Sequence, residues 1–162
     1  MMAKKFGFSE VLEGDDLLFT DAQKLLEDLK LDYTLFFNRL EKLVTTSDLK
    51  ELFGDISYSI LNEEQLSMIE VFIKNYQIRL EKNTISKAGS LELMSKTNPK
   101  FILRNYILFE CIEELKEGKR DLLNKILVAL ENPYLETYPE FSQKRPSKYD
   151  GQTGCSTLSC SS

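Results

Sequence analysis

Asn98-Pro99-Lys100-Phe101-Ile102-Leu103-Arg104-Asn105-Tyr106-Ile107-Leu108-Phe109-Glu110-Cys111-Ile112-Glu113-Glu114-Leu115-Lys116-Glu117-Gly118 decides the fold class. It reads as one helix with both ends marked. Asn98 can cap the free N–H groups of a first turn, and Pro99 suits the first helical position. Gly118 suits a left-handed residue just past the end, and Lys116 lies near the negative end of the dipole. Leu103, Ile107, Cys111 and Leu115 form an apolar row at spacing four, widened by Phe101, Leu108 and Ile112. So broad a face predicts a helix at the centre of a helical core. Arg104 and Asn105 are strongly polar among apolar neighbours. They need partners if buried, and composition alone places them on the solvent side.

Working outward, the neighbouring segments repeat the helical period. Leu18, Ala22, Leu25, Leu26 and Leu29 predict a helix from Asp15 to about Leu31. Asp32 can cap a second, with Tyr33, Phe36, Phe37, Leu40 and Leu43 on one face. Ser47 is placed to cap a short helix that Gly54 stops. Asn62 is placed to cap a long one, lined by Leu66, Ile69, Phe72, Ile73, Tyr76 and Leu80. Ser86 to about Lys96 is a weaker helix, softened by Gly89. After Gly118 a last helix runs from about Arg120 to Glu131, with Leu123, Ile126, Leu127 and Leu130 on its face. Asn132-Pro133 ends it, because proline disfavours helical geometry in the residue before it. Residues 55–61 are a connector. Residues 1–8 lack periodicity and are expected to run as a leader over the surface. The reading is all-α: an irregular bundle of about seven helices over 1–136, then an extended or disordered Cys-containing tail over 137–162.

The chain has 162 residues, 42% hydrophobic and 29% charged, with a net charge of −5. That fits a soluble globular protein with a real core. No run is apolar and long enough for a bilayer. No secretory leader is visible, so a cytoplasmic setting is expected. Bases interleave with acids and form no concentrated basic face, which argues against nucleic acid as a partner. There is no histidine, so a Ser-His-Asp or Cys-His site within the chain is excluded. No Gly-rich phosphate loop and no kinase-type catalytic loop is present. Acidic pairs such as Glu63/Glu64 diverge by about 100° on a helix and do not converge on one metal. No metal site or catalytic residue is expected. Cys111 reads as an inert core residue. Cys155 and Cys160 lie in a polar, Gly/Ser-rich tail, where a thiol is open to oxidation.

Several stretches, in order, resemble the C-terminal third of the selenoprotein O family, the pseudokinase-fold protein adenylyltransferases. Met2-Ala3-Lys4-Lys5-Phe6-Gly7-Phe8 is similar to the family's Met-Arg-Ala-Lys-Leu-Gly-Leu. Asp32-Tyr33-Thr34-Leu35-Phe36-Phe37 is similar to its Asp-Tyr-Thr-x-Phe-Phe. Asn98 to Tyr106 resembles Asn-Pro-Lys-Tyr-x-Leu-Arg-Asn-Tyr. Asn132-Pro133-Tyr134 and Lys144-Arg145-Pro146 follow in the expected order, and Ser159-Cys160-Ser161-Ser162 resembles the family's terminal Ser-Cys-Ser-Ser.

The resemblance implies that the full-length protein binds ATP and Mg²⁺ and transfers AMP to Ser, Thr or Tyr hydroxyls of protein substrates. It implies that the nucleotide and metal ligands lie upstream, in an N-terminal kinase-like core, and none of them carries over to this chain. Cys160 stands where the family places a terminal cysteine or selenocysteine, thought to pair with a cysteine of that core. Cys155 departs from the family spacing, with four residues rather than two between the pair. The motif also implies that Asn98, Pro99, Arg104, Asn105 and Tyr106 serve the interior or the face toward the core. On this reading the chain is a scaffolding and regulatory region, inactive alone, with no cofactor of its own. The alternative is a stand-alone helical interaction module with a capped surface. A third reading, a thiol oxidoreductase working through Cys155 and Cys160, needs a depressed cysteine pKa that the tail does not offer.

Overall fold

The computed structural model describes residues 1–43 and 49–152, the side chains of residues 49–51 excepted. Among them are eight α-helices: α1 (Met2–Lys5), α2 (Asp15–Asp28), α3 (Tyr33–Leu43), α4 (Leu49–Gly54), α5 (Glu63–Leu80), α6 (Lys87–Thr97), α7 (Asn105–Lys116) and α8 (Asp121–Glu131). The all-α class holds. One isolated bridge, Leu31 to Ser57, is the only strand-like pairing among the described residues. Ser47, the expected cap of α4, lies outside them.

The chain forms two compact units that divide after Pro99. The first comprises Met1–Pro99. The expected faces of α2, α3 and α5 meet in its core: Leu18, Leu25, Phe36, Phe37, Leu40, Ile69, Phe72, Ile73 and Tyr76 are all buried. Caps fall largely where the side chains predict. Asp32 Oδ1 accepts from the Leu35 amide at 3.0 Å. Asn62 forms a full capping box with Gln65, and Ser86 Oγ accepts from the Gly89 amide at 3.2 Å.

The first eight residues are not a surface leader. Phe6 and Phe8 are completely buried and their rings join Phe19, Phe37 and Tyr76. Gly7 between them has φ +75°, and a Cβ there would come within 2.9 Å of Met94 Sδ. Only glycine lets the chain turn this close to α6 and drive both rings inward. Polar atoms complete the seam: Tyr76 donates its hydroxyl to Phe6 O at 3.1 Å, Asn83 donates to Gly7 O at 2.8 Å, and Asn98 donates to Lys5 O at 2.9 Å. A segment with too few residues for periodicity is thus fixed by two aromatic side chains and three carbonyls.

The second unit runs from Lys100 onward. Here the expected helix start is displaced. Asn98 is the C-cap residue just past α6, extended at φ −104° and ψ 105°, as the residue before a proline prefers. Residues 99–103 are not helical. The amides of Lys100 and Phe101 both donate to Pro133 O, at 2.8 and 2.9 Å. Helix α7 therefore begins six residues late, with Arg104 at its N-cap and no side-chain cap bond. Its C-terminus is as expected. Gly118 has φ +79°, its amide donates to Leu115 O, and the Lys119 amide donates to Glu114 O. That is a Schellman ending.

Candidate functional site

The second unit carries the residues that the sequence singles out. Helix α7 does not lie at the centre of the main core. Ile107 and Cys111 are buried, together with Phe101, Tyr106, Ile126 and Ala129, in a separate smaller core. Half of the expected apolar faces is open. Leu103, Leu108, Ile112 and Leu115 are exposed, and so are Leu127 and Leu130 on α8.

The helix wheel explains this split. Helices α7 and α8 pack together across the short link Glu117–Arg120, so they run antiparallel. Residues advance about 100° each along an α-helix. Leu108, Ile112 and Leu115 fall on one flank of α7, next to the buried row. Leu127 and Leu130 fall on the matching flank of α8, while Leu123 packs against the small core. In an antiparallel pair these flanks face the same way, so together they form one apolar side of the hairpin.

The other side is covered by residues 138–149. This stretch has no α-helix, and two 3-10 turns, Pro139–Phe141 and Ser147–Tyr149, give it fixed form. Phe141 and Tyr149 are buried. The Tyr149 ring stacks on Tyr106 at 5.5 Å and meets Phe109 edge-on. Its hydroxyl donates to Glu110 Oε1, and Lys148 Nζ reaches the same oxygen at 3.1 Å. Burial, and then the Glu110 hydrogen bond, raise the Tyr149 pKa. On α8, Lys125 pairs with Glu140 at 2.8 Å and lies over the Tyr138 ring. The aromatic residues of this stretch were its legible signal, outweighed in the sequence by its prolines and serines.

The motif residues divide between the units. Asn98 is buried, and Pro99 O accepts from Asn38 Nδ2 at 3.1 Å. Arg104 and Asn105 are half-buried where α7 begins, and Arg104 O accepts the Ile107 and Leu108 amides. Tyr106 is buried under Tyr149. Cys155 and Cys160 lie outside the described residues. Cys111 is a buried free thiol.

The first unit has cavities at two places among the described residues. One, of about 420 Å³, sits between α2 and α5 and is bordered by Asp21, Asp28, Glu64 and a single Lys24. The other, of about 500 Å³, has Glu81 and Lys87 as its charged lining. Neither offers the run of amides and cations that a triphosphate needs. No group of three or more His, Cys, Asp or Glu that could hold a metal occurs among the described residues. ATP and Mg²⁺ do not fit the residues of these cavities. No helix among the described residues is long and apolar enough to cross a membrane.

Comparison with known proteins gives one consistent answer. The family described as protein adenylyltransferase SelO matches residues 1–131. A protein nucleotidyltransferase YdiU of Cytophaga hutchinsonii is 39% identical over 100% of this chain and 32% of its own length. Proteins of the same name from Tolumonas auensis and Flavobacterium johnsoniae are 31% and 28% identical, again over 100% of this chain and 32% of their own. The chain thus spans about a third of the length of the curated relatives it matches.

Proposed function

This chain belongs to the protein adenylyltransferase SelO family, and from that membership we propose that it is the family's C-terminal helical region, a scaffold and regulator rather than a catalyst. In this reading the remaining two-thirds of the protein, a kinase-like core, binds ATP and Mg²⁺ and transfers AMP to hydroxyls of protein substrates in the cytoplasm. The present chain buttresses that core.

The observation that carries the proposal is the open apolar side of the α7–α8 hairpin, on a chain about a third as long as its relatives. A finished surface seldom leaves leucines and an isoleucine side by side on two helices. Residues 138–149 already occupy the opposite side, so the open side is the one left for the core. Arg104, Asn105 and Tyr106 hold the start of α7 in place relative to that surface, while Asn98 and Pro99 serve the interior of the first unit. Cys160, with Cys155 as a second thiol, provides the redox-responsive link to the core. The acid-lined α2–α5 cavity supports the non-catalytic reading, because a nucleotide triphosphate is repelled there.

Isothermal titration of the 162-residue chain with Mg-ATP tests the proposal. No saturable heat is expected. A micromolar affinity would place a nucleotide site within these residues and overturn it.

A further inference from the structure

The cavity between α2 and α5 has a second property that the scaffold reading does not use. Its floor is apolar: Leu25 from α2 and Phe72 from α5 are buried beneath it. Its shoulders are Met68 and Val71, 40% and 56% exposed. A flexible, polarisable Met beside a branched Val makes a surface that adapts to an incoming apolar side chain. The rim is acidic. Asp21 and Asp28 stand on α2 and Glu64 on α5, against Lys24 alone.

The rim and floor share one register. Asp21 and Asp28 are two turns apart, about 10 Å along the helix at 1.5 Å per residue, and Leu25 lies between them. A docked helical segment with Lys or Arg at positions i and i+7 and an apolar residue at i+3 or i+4 presents the same spacing. Its cations meet the two aspartates, and its apolar residue covers Leu25, Phe72 and Met68.

We propose that the α2–α5 groove docks a cationic amphipathic peptide segment of a partner protein, with an apolar anchor on the Leu25–Phe72 floor and basic residues against Asp21, Asp28 and Glu64. The charge balance excludes an acidic segment, and the floor distinguishes the site from a merely acidic surface. This inference rests on the groove alone and stands whether or not the chain serves as a scaffold.

The test uses the whole chain with its Met, Val and Leu methyl groups labelled for NMR. The probe is a synthetic helical peptide with leucines on one face and lysines seven residues apart. Its counterpart carries glutamate in place of every lysine. Saturable shifts are expected at Met68, Val71 and Leu25 with the basic peptide. Asp21→Lys/Asp28→Lys, checked for an unchanged melting temperature, should weaken binding at least about tenfold, equal to 1.4 kcal/mol or more. The same loss is expected for the acidic peptide. Shifts centred elsewhere, equal affinity for both peptides, or full affinity in the charge variant each overturn the proposal. So does an absence of saturable shifts with the basic peptide. A met or failed test leaves the Mg-ATP titration unaffected, so the two readings fail separately.

Discussion

Arg79 Nε donates to Asp15 Oδ1 at 2.5 Å, and both side chains are buried. The pair joins α5 to the start of α2. Asp15 Oδ2 also accepts from the Leu12 amide at 2.8 Å, while Arg79 Nη2 donates to Glu10 O at 2.9 Å. The guanidinium lies 4.2 Å from the centre of the Phe8 ring. One ion pair thus ties the first twelve residues to the longest helix. Truncating one partner leaves the other charge buried without compensation, at a cost of about 3–5 kcal/mol. Asp15→Ala should lose that much in urea unfolding, while Asp15→Ala with Arg79→Leu should recover a good part of it.

The same pair sets an acid limit. Burial raises the Asp15 pKa, but the Arg79 hydrogen bond, the Leu12 amide and the charges of Arg79 and Lys82 outweigh it, and the carboxyl sits below its ordinary range. Its folded pKa is therefore lower than its unfolded one. The contribution to stability is complete above the ordinary Asp value and is lost as pH falls through the folded value. Stability measured between pH 5 and about pH 2 should fall more steeply for the native chain than for the double variant.

Phe6 anchors the N-terminal segment. Phe6→Ala should cost about 3–5 kcal/mol, as for large aromatic deletions in closed cores. Urea unfolding is again the measurement. A loss below about 1 kcal/mol would mean that the segment is not part of the core.

Tyr149 fastens residues 138–149 to α7. Tyr149→Phe keeps the stack on Tyr106 and removes the hydroxyl bond to Glu110, so a loss of about 1 kcal/mol is expected. Because the folded pKa of Tyr149 is raised, its contribution is present below the ordinary tyrosine value, near 10, and disappears as pH rises through the folded value. Amide exchange of residues 139–150 should accelerate above that pH in the native chain.

The fold is legible in the sequence where one helix face meets one core. Leu18 to Leu29, Phe36 to Leu43 and Ile69 to Tyr76 show helical spacing and are buried as that spacing requires. The start of α7 is not legible, because Asn98-Pro99 satisfies two local rules at once. Asparagine before a proline resembles a cap, but it is also extended, and the carbonyl of Pro133 captures the next two amides. That carbonyl is distant in sequence, so no local pattern could reveal it. The open flank was hidden for a different reason. Amphipathic spacing identifies Leu108, Ile112 and Leu127 as apolar, but it does not say what covers them. The Arg79–Asp15 pair spans 64 residues and left no mark in the local pattern of either helix.

The hairpin flank gives the most direct test. The chain is mixed with the separately produced remainder of the Cytophaga relative, and association is followed by sedimentation velocity. A one-to-one complex is expected, and Ile112→Glu with Leu127→Glu should abolish it while leaving the melting temperature of the chain within a few degrees. Complex formation that survives both substitutions, or no association of the native chain with a folded remainder, would contradict the account.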